Sequence, residues 1–281
     1  MSRLPALGRR IAATATAATL ALTAACGPAR DKPSGEITVS GKFGTVPVVV
    51  FATPLPMEES DVETLSVGDG AQIGEADPVV LSMSAFRGSD GTLADGAAVP
   101  HVLFATEADL GEPLHSAIVG LSEGSRLIVT QPVNGQGVEM VATVVDLLHS
   151  HAWGEEEASG DDGRLSVVID DDGPRLVVEP EAAPSDSLTV RRLIRGTGEQ
   201  VTPGATVVVQ YTLWTWSDGE VLDTTWTTGT PAVLDLGTAF PGVRSGLVDQ
   251  FVGSRVLLEV PPEEGIGTDT IVMVADILAA G

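Results

Sequence analysis

The sequence predicts an α+β fold of two tandem modules, each an antiparallel β-sheet curved around one short helix. Three observations predict it. The stretch from Val207 to Gly267 reads as strand, tight turn, strand, short helix and strand, and a further strand closes the chain. An upstream stretch repeats its punctuation at nearly constant spacing. The segment between the two is acidic and contains Gly and Ser, the composition of a linker.

The downstream elements follow from residue type. V-V-V-Q-Y-T-L-W-T-W at 207–216 is rich in β-branched and aromatic residues and runs into Asp218-Gly219, a hairpin-forming dipeptide. V-L-D-T-T-W at 221–226 and P-A-V-L-D-L-G at 231–237 come next. The stretch from Phe240 to Arg255 holds the short helix. V-L-L-E-V-P-P at 256–262 and T-I-V-M-V-A-D-I-L at 270–278 are the closing strands. Upstream, V-P-V-V-V-F at 46–51, P-V-V-L-S-M-S-A-F at 78–86, L-I-V-T at 127–130 and M-V-A-T-V-V-D-L-L at 140–148 are strand-like.

The repeat is a matter of register. Gly68 and Gly70 stand 128 positions before Gly196 and Gly198, as do Asp90-Gly91 before Asp218-Gly219 and Asp95 before Asp223. Gly124-Ser125-Arg126 stands 129 before Gly253-Ser254-Arg255, and Asp146 stands 130 before Asp276. The boundaries drawn are 36–148 for a degenerate module, 149–163 for an acidic linker and 164–281 for the complete one. The strand L-S-V-V-I-D within 164–187 is expected on the edge of the downstream module.

The first residues are a targeting segment. Arg3, Arg9 and Arg10 form a basic region, followed by an Ala-rich apolar stretch from Ile11 to Ala25, too short to span a bilayer. Residues 1–26 end in L-T-A-A-C, which resembles a bacterial lipobox, with Thr23 where that pattern prefers an aliphatic residue. The resemblance implies that Cys26 is lipid-modified. A plain secretory peptide with an incidental Cys is the alternative, and Arg9-Arg10 leaves a twin-arginine signal open. Residues 27–35 read as a flexible tether. Cys26 is the only cysteine, so no disulfide forms within the chain.

The chain has 281 residues and a formal net charge of −24. Such acidity excludes a nucleic-acid partner, because phosphate binding needs clustered Lys and Arg. Gly-Leu-Ser-Glu-Gly at 120–124 fits a hydrolase pattern, but that pattern needs a strand before the Ser and a helix after it, and here a strand follows. His149 and His151 lack the scaffold of a metal site, and Asp170-Asp171-Asp172-Gly173 lacks the closing Glu of a calcium loop. No metal and no cofactor are expected.

The order of motifs resembles the FKBP-type peptidyl-prolyl isomerases. The matching pieces are Y-T at 211–212, D-G at 218–219, L-D-T-T at 222–225, L-G at 236–237, P-G at 241–242, G-L-V at 246–248, V-G-S-R at 252–255 and the last strand. The resemblance covers roughly 190–280 and, more weakly, the upstream copy. It implies that Tyr211 and Asp223 are the catalytic pair, with Asp223 beside the substrate amide. It implies a substrate surface of Leu222, Phe240, Val243, Ile266 and Met273, with the Phe240 N–H holding the substrate carbonyl. Leu222 stands where the family usually has Phe, Val243 where it has the Trp of the pocket floor, Ile266 where it has a Tyr, and Met273 where it has another aromatic. The loop from Gly267 to Ile271 is shorter than the family's usual flap. Upstream, Met83 replaces the tyrosine and Ala94 stands for Leu222, so that module is expected to be non-catalytic.

The implied function is isomerisation of X-Pro bonds in exported polypeptides by a lipid-anchored monomer on the outer face of the membrane. A non-catalytic binding or chaperone lipoprotein is the alternative, and a purely structural envelope protein a third. Trp226 is read as a core anchor; Trp214 and Trp216 are left between core and binding surface.

Overall fold

A computed structural model describes residues 36–94, 99–134, 138–157, 163–170 and 173–281. The targeting segment, the tether, Cys26 and Asp95 lie outside the described residues.

The upstream half begins with a hairpin of β1 (Thr38–Ser40) and β2 (Val48–Val50). Its main sheet contains β3 (Asp61–Ser66), β4 (Pro78–Arg87), β5 (Val99–Phe104), β6 (Arg126–Asn134) and β7 (Val138–Leu147). The strands lie in the order β3-β6-β7-β4-β5, antiparallel throughout. Where one helix was expected there are two, α1 (Glu107–Leu110) and α2 (Glu112–Ile118). The break has a local cause. Gly111 has φ +74°, outside the helical region, and its N–H closes α1 onto the Glu107 carbonyl. The next turn then restarts with Pro113 in its first positions, where a missing N–H costs nothing.

The downstream half holds β8 (Glu155–Glu156), β9 (Leu165–Asp170), β10 (Gly173–Val178), β11 (Thr189–Arg195), β12 (Thr206–Thr215), β13 (Val221–Thr224), β14 (Ala232–Asp235), helix α3 (Pro241–Leu247), β15 (Arg255–Val260) and β16 (Ile271–Ala280). Its seven-stranded sheet runs β13-β12-β16-β15-β11-β8, with β14 also paired to β12. The path β11-β15-β16-β12 repeats the upstream path β3-β6-β7-β4.

Strand β12 reads as an almost unbroken apolar run because both its faces are covered. Alternate residues Val207, Val209, Tyr211 and Leu213 join the core under α3 with Leu236, Leu247, Leu258 and Ile277. Each fully buried Leu or Ile there contributes roughly 1.5–3 kcal/mol. That burial holds α3, which at seven residues is too short to be stable alone. On the opposite face, Val208 packs with Leu278, Ala279 and the upstream residues Val80 and Leu148. Trp214 and Trp216 lie under the β9–β10 hairpin with Leu165, Leu257, Val272 and Val274. Both tryptophans are therefore core. The hairpin expected on the edge of the sheet sits on its face instead, because that face would otherwise leave two indoles in water. The Arg164 guanidinium ties the hairpin to the buried Glu259 carboxylate at 3.0 Å.

The segment read as a linker is built into the downstream sheet over its described part, 149–157. β8 pairs with β11, and Trp153 N–H donates to the Gly253 carbonyl at 2.9 Å. Arg192 pairs with Glu157 at 3.1 Å, so the acidic run meets basic residues on the neighbouring strand.

Two buried ion pairs repeat between the halves. Arg126 grips Asp146 with donor–acceptor distances of 2.5 and 2.7 Å, and Arg255 grips Asp276 at 2.6 and 2.7 Å. Ser125 Oγ accepts from Gly68 N–H and Ser254 Oγ from Gly196 N–H, at 2.9 and 3.0 Å. These contacts explain the spacing of the repeated Gly, Ser, Arg and Asp residues.

Candidate active site

The site grows from the β12–β13 corner. After the Asp218-Gly219 turn, where Gly219 takes φ +69°, β13 returns along β12 with Asp223 opposite Leu213 and Thr224 opposite Thr212. The corner is fixed by threonines. Tyr211 N–H donates to Thr225 Oγ1 at 2.8 Å, and Thr225 N–H donates back to the Tyr211 carbonyl at 3.0 Å. The hydroxyls of Thr212 and Thr224 are 2.8 Å apart. With the backbone held this way, the Tyr211 hydroxyl donates a hydrogen bond to Asp223 Oδ2. Thr225 is a positioning residue that motif matching did not single out, although it lies within L-D-T-T.

Tyr211 is buried while Asp223 is exposed. Burial pushes the phenol up to about 12, and the hydrogen bond to Asp223 and that carboxylate's charge act in the same direction. At neutral pH Tyr211 is a neutral phenol and donates its hydroxyl proton to Asp223 Oδ2.

The other candidates divide into three sets. Val243 and Met273 belong to the same core cluster as Tyr211 and are 2% and 1% exposed. Phe240 is partly buried against that cluster. Leu222 and Ile266 stand out in solvent at 43% and 49% exposure. The two positions read as a pocket floor are thus enclosed by the protein's own packing, while Leu222 and Ile266 face solvent. The closure has a cause in α3. Gly242 and Gly246 let the helix lie directly on β15: a Cβ on either would come within 2.2 Å of Val260 or 2.6 Å of Leu258. The Gly242 N–H then donates to the Glu264 carbonyl at 2.8 Å, drawing the 261–267 turn onto the helix start.

Phe240 is the N-cap of α3, with φ −62° and ψ 151°. Its N–H has no hydrogen-bond partner among the described residues. An unfilled backbone donor beside an apolar surface is what a substrate carbonyl requires. No group of three or more His, Cys, Asp or Glu that would hold a metal occurs among the described residues. Trp226, read as a core anchor, is only half-buried, with its ring 5.8 Å from the Arg255 guanidinium.

A family model described as FKBP-type peptidyl-prolyl cis-trans isomerase matches residues 197–272. Peptidyl-prolyl cis-trans isomerase FKBP15-3 of Arabidopsis thaliana is 30% identical over 119 residues, which span 41% of this chain and 76% of that protein. The chain belongs to the FKBP-type peptidyl-prolyl cis-trans isomerase family. A protein of Corynebacterium glutamicum named "Probable FK506-binding protein" is 28% identical over 116 residues, 38% of this chain and 98% of that one. Among solved structures, FkpA from Escherichia coli matches with 24% identity and a TM-score of 0.33, over 43% of this chain and 53% of that one. The family match lies wholly in the downstream half and takes in Tyr211, Leu222, Asp223, Phe240, Val243 and Ile266.

Proposed function

We propose that the downstream half, residues 164–281, catalyses cis–trans isomerisation of X-Pro bonds. The observation that carries this reading is the Tyr211–Asp223 hydrogen bond, with Tyr211 in the core cluster against which Phe240 packs and the Phe240 N–H without a partner among the described residues. Rotation about an X-Pro amide is opposed by a barrier of roughly 18–20 kcal/mol, because the planar form is stabilised by resonance. The twisted transition state loses resonance and much of its charge separation. An apolar contact favours that form over the dipolar ground state, while the Phe240 N–H fixes the carbonyl so that the far side of the bond turns. Asp223 lies beside the amide with its charge steadied by the Tyr211 hydroxyl. Neither a covalent intermediate nor a metal is required.

With Val243 and Met273 sealed in the core, the proline ring rests on a shallow rim of Phe240, Leu222 and Ile266. Turnover is accordingly lower than an aromatic pit would give. The test is a protease-coupled assay on an X-Pro peptide with the full chain. The reading expects acceleration over buffer that falls on Asp223→Ala; a rate equal to buffer would contradict it.

The same proposal places the protein as a monomer on the outer face of the membrane, anchored by lipid on Cys26 and serving exported polypeptides as they fold. Its support is the basic and apolar targeting segment with the terminal Cys at residues 1–26. Incorporation of labelled fatty acid that disappears in Cys26→Ser tests this part. The upstream half is proposed to be a non-catalytic copy of the same unit. The repeated strand order and the paired Arg126–Asp146 and Arg255–Asp276 contacts support that reading.

A further inference from the structure

Strand β12 presents Tyr211 to the candidate active site and its neighbour Gln210 to the opposite face. On that face the sheet is covered at one end by the upstream half and at the other by the β9–β10 hairpin. Between the two covers a cleft of about 500 Å³ remains open, with Gln210 and Trp226 in its wall. Gln210 is 3% exposed, and its Nε2 donates to the Thr225 carbonyl at 3.4 Å. Its Oε1 and the Nε1 of Trp226 are both buried without a hydrogen-bond partner among the described residues. One wall thus holds an unfilled acceptor and an unfilled donor, the complement of a peptide amide, which offers one N–H and one C=O.

The rest of the cleft narrows the ligand further. Ile73 and Pro78 supply apolar wall, and Asp77, Glu123 and Asp170 supply carboxylates, with Glu123 Oε2 3.8 Å from His149 Nδ1. Asp77 spends Oδ2 on the Gly74 N–H at 2.7 Å. Trp226 is steadied on two sides: its ring centroid is 5.3 Å from that of His151, and Gly173, at φ +107°, lies so near that a Cβ there would fall 2.9 Å from Trp226 Cβ. The chain as a whole has a formal net charge of −24, which draws cationic ligands to such a cleft.

We propose that this cleft is a second, non-catalytic polypeptide site that takes a short extended segment bearing basic side chains. On binding, the Gln210 and Trp226 side chains turn toward the cleft, so that Oε1 and Nε1, enclosed in the free protein, meet the segment's main-chain N–H and C=O. Lys or Arg side chains meet Asp77 and Glu123. The proposal does not depend on isomerase activity, because the cleft and Tyr211 lie on opposite faces of β12; the protein can fail every prolyl assay and still bind here.

The test uses the full chain and an acetylated, amidated pentapeptide alternating valine and lysine, with glutamate in place of lysine as the comparison. The readout is the NMR resonance of the Trp226 indole N–H, assigned with Trp226→Phe. The lysine peptide should shift it saturably and the glutamate peptide should not. Gln210→Leu should weaken binding about tenfold, the loss of one hydrogen bond. Asp77→Asn keeps an oxygen for the Gly74 N–H while removing the charge, and should also weaken the lysine peptide. The proposal is overturned if no saturable shift occurs, if both peptides bind equally, or if neither variant changes the affinity.

Discussion

The Tyr211 hydroxyl donates to Asp223 Oδ2 across the β12–β13 corner, so one hydrogen bond joins a buried phenol to an exposed acid. The bond couples the ionisation of Tyr211 to the charge on Asp223. Tyr211 is the only tyrosine in the chain, so tyrosinate absorbance reports it alone. The phenol titrates at about 12 in the folded protein, above its ordinary 10.0. Folding therefore stabilises the neutral form. That contribution is whole below pH 10 and is lost as pH climbs from 10 through about 12. Asp223→Asn should lower the titration midpoint while leaving it above 10, because burial is the largest cause. A midpoint unchanged by the substitution would break the coupling.

The Phe240 N–H can be removed by a proline at a position whose own φ and ψ fit the change. Its φ of −62° suits proline, and its ψ of 151° already suits a residue that precedes Pro241. Phe240→Pro should fold like Phe240→Ala but isomerise about tenfold more slowly, the worth of one lost hydrogen bond. Equal rates for the two variants would remove this donor from the mechanism.

The buried Arg255–Asp276 pair sits with Asp276 fully enclosed, and Asp276 also accepts from Ala152 N–H at 2.8 Å. Asp276→Ala strands the guanidinium and that N–H together. It should cost about 3–5 kcal/mol, measured by denaturant unfolding. Adding Arg255→Met should restore part of the loss.

Gly196 and its upstream counterpart Gly68 are pressed against backbone. A Cβ would lie 2.3 Å from the Val252 carbonyl oxygen at Gly196 and 2.1 Å from the Glu123 carbonyl oxygen at Gly68. A main chain cannot rotate away as a side chain can, so each Gly→Ala change should destabilise by at least about 1–3 kcal/mol in the same unfolding experiment.

Strands and turns were legible in the sequence where local chemistry decides them. Asp218-Gly219 can make only a few turns, and the β-branched run of β12 suits a strand with two buried faces. What covers each face was not legible. The parity of Trp214 and Trp216 puts them on one side of β12, but nothing local says that a hairpin some forty residues upstream lies on them. Residues 154–157 read as a solvated linker by their acidity, yet that acidity is what pairs them with Arg192 and the β11 edge. The site shows the same division. Motif order singled out Tyr211 and Asp223, which the β12–β13 corner brings into hydrogen-bond contact. It did not reveal that Val243 and Met273 have no free space above them, because that depends on how closely α3 lies on β15 through Gly242 and Gly246.

Turnover of X-Pro bonds at the Tyr211–Asp223 corner can be measured directly. NMR exchange spectroscopy on a proline peptide at equilibrium measures this without a coupling enzyme, since uncatalysed interconversion takes tens to hundreds of seconds and gives no cross-peaks. Cis–trans exchange cross-peaks are expected when the full chain is added, weakened by Asp223→Ala and by Phe240→Pro. Their absence with the unaltered chain, or their persistence at full strength in both variants, would contradict turnover at this corner.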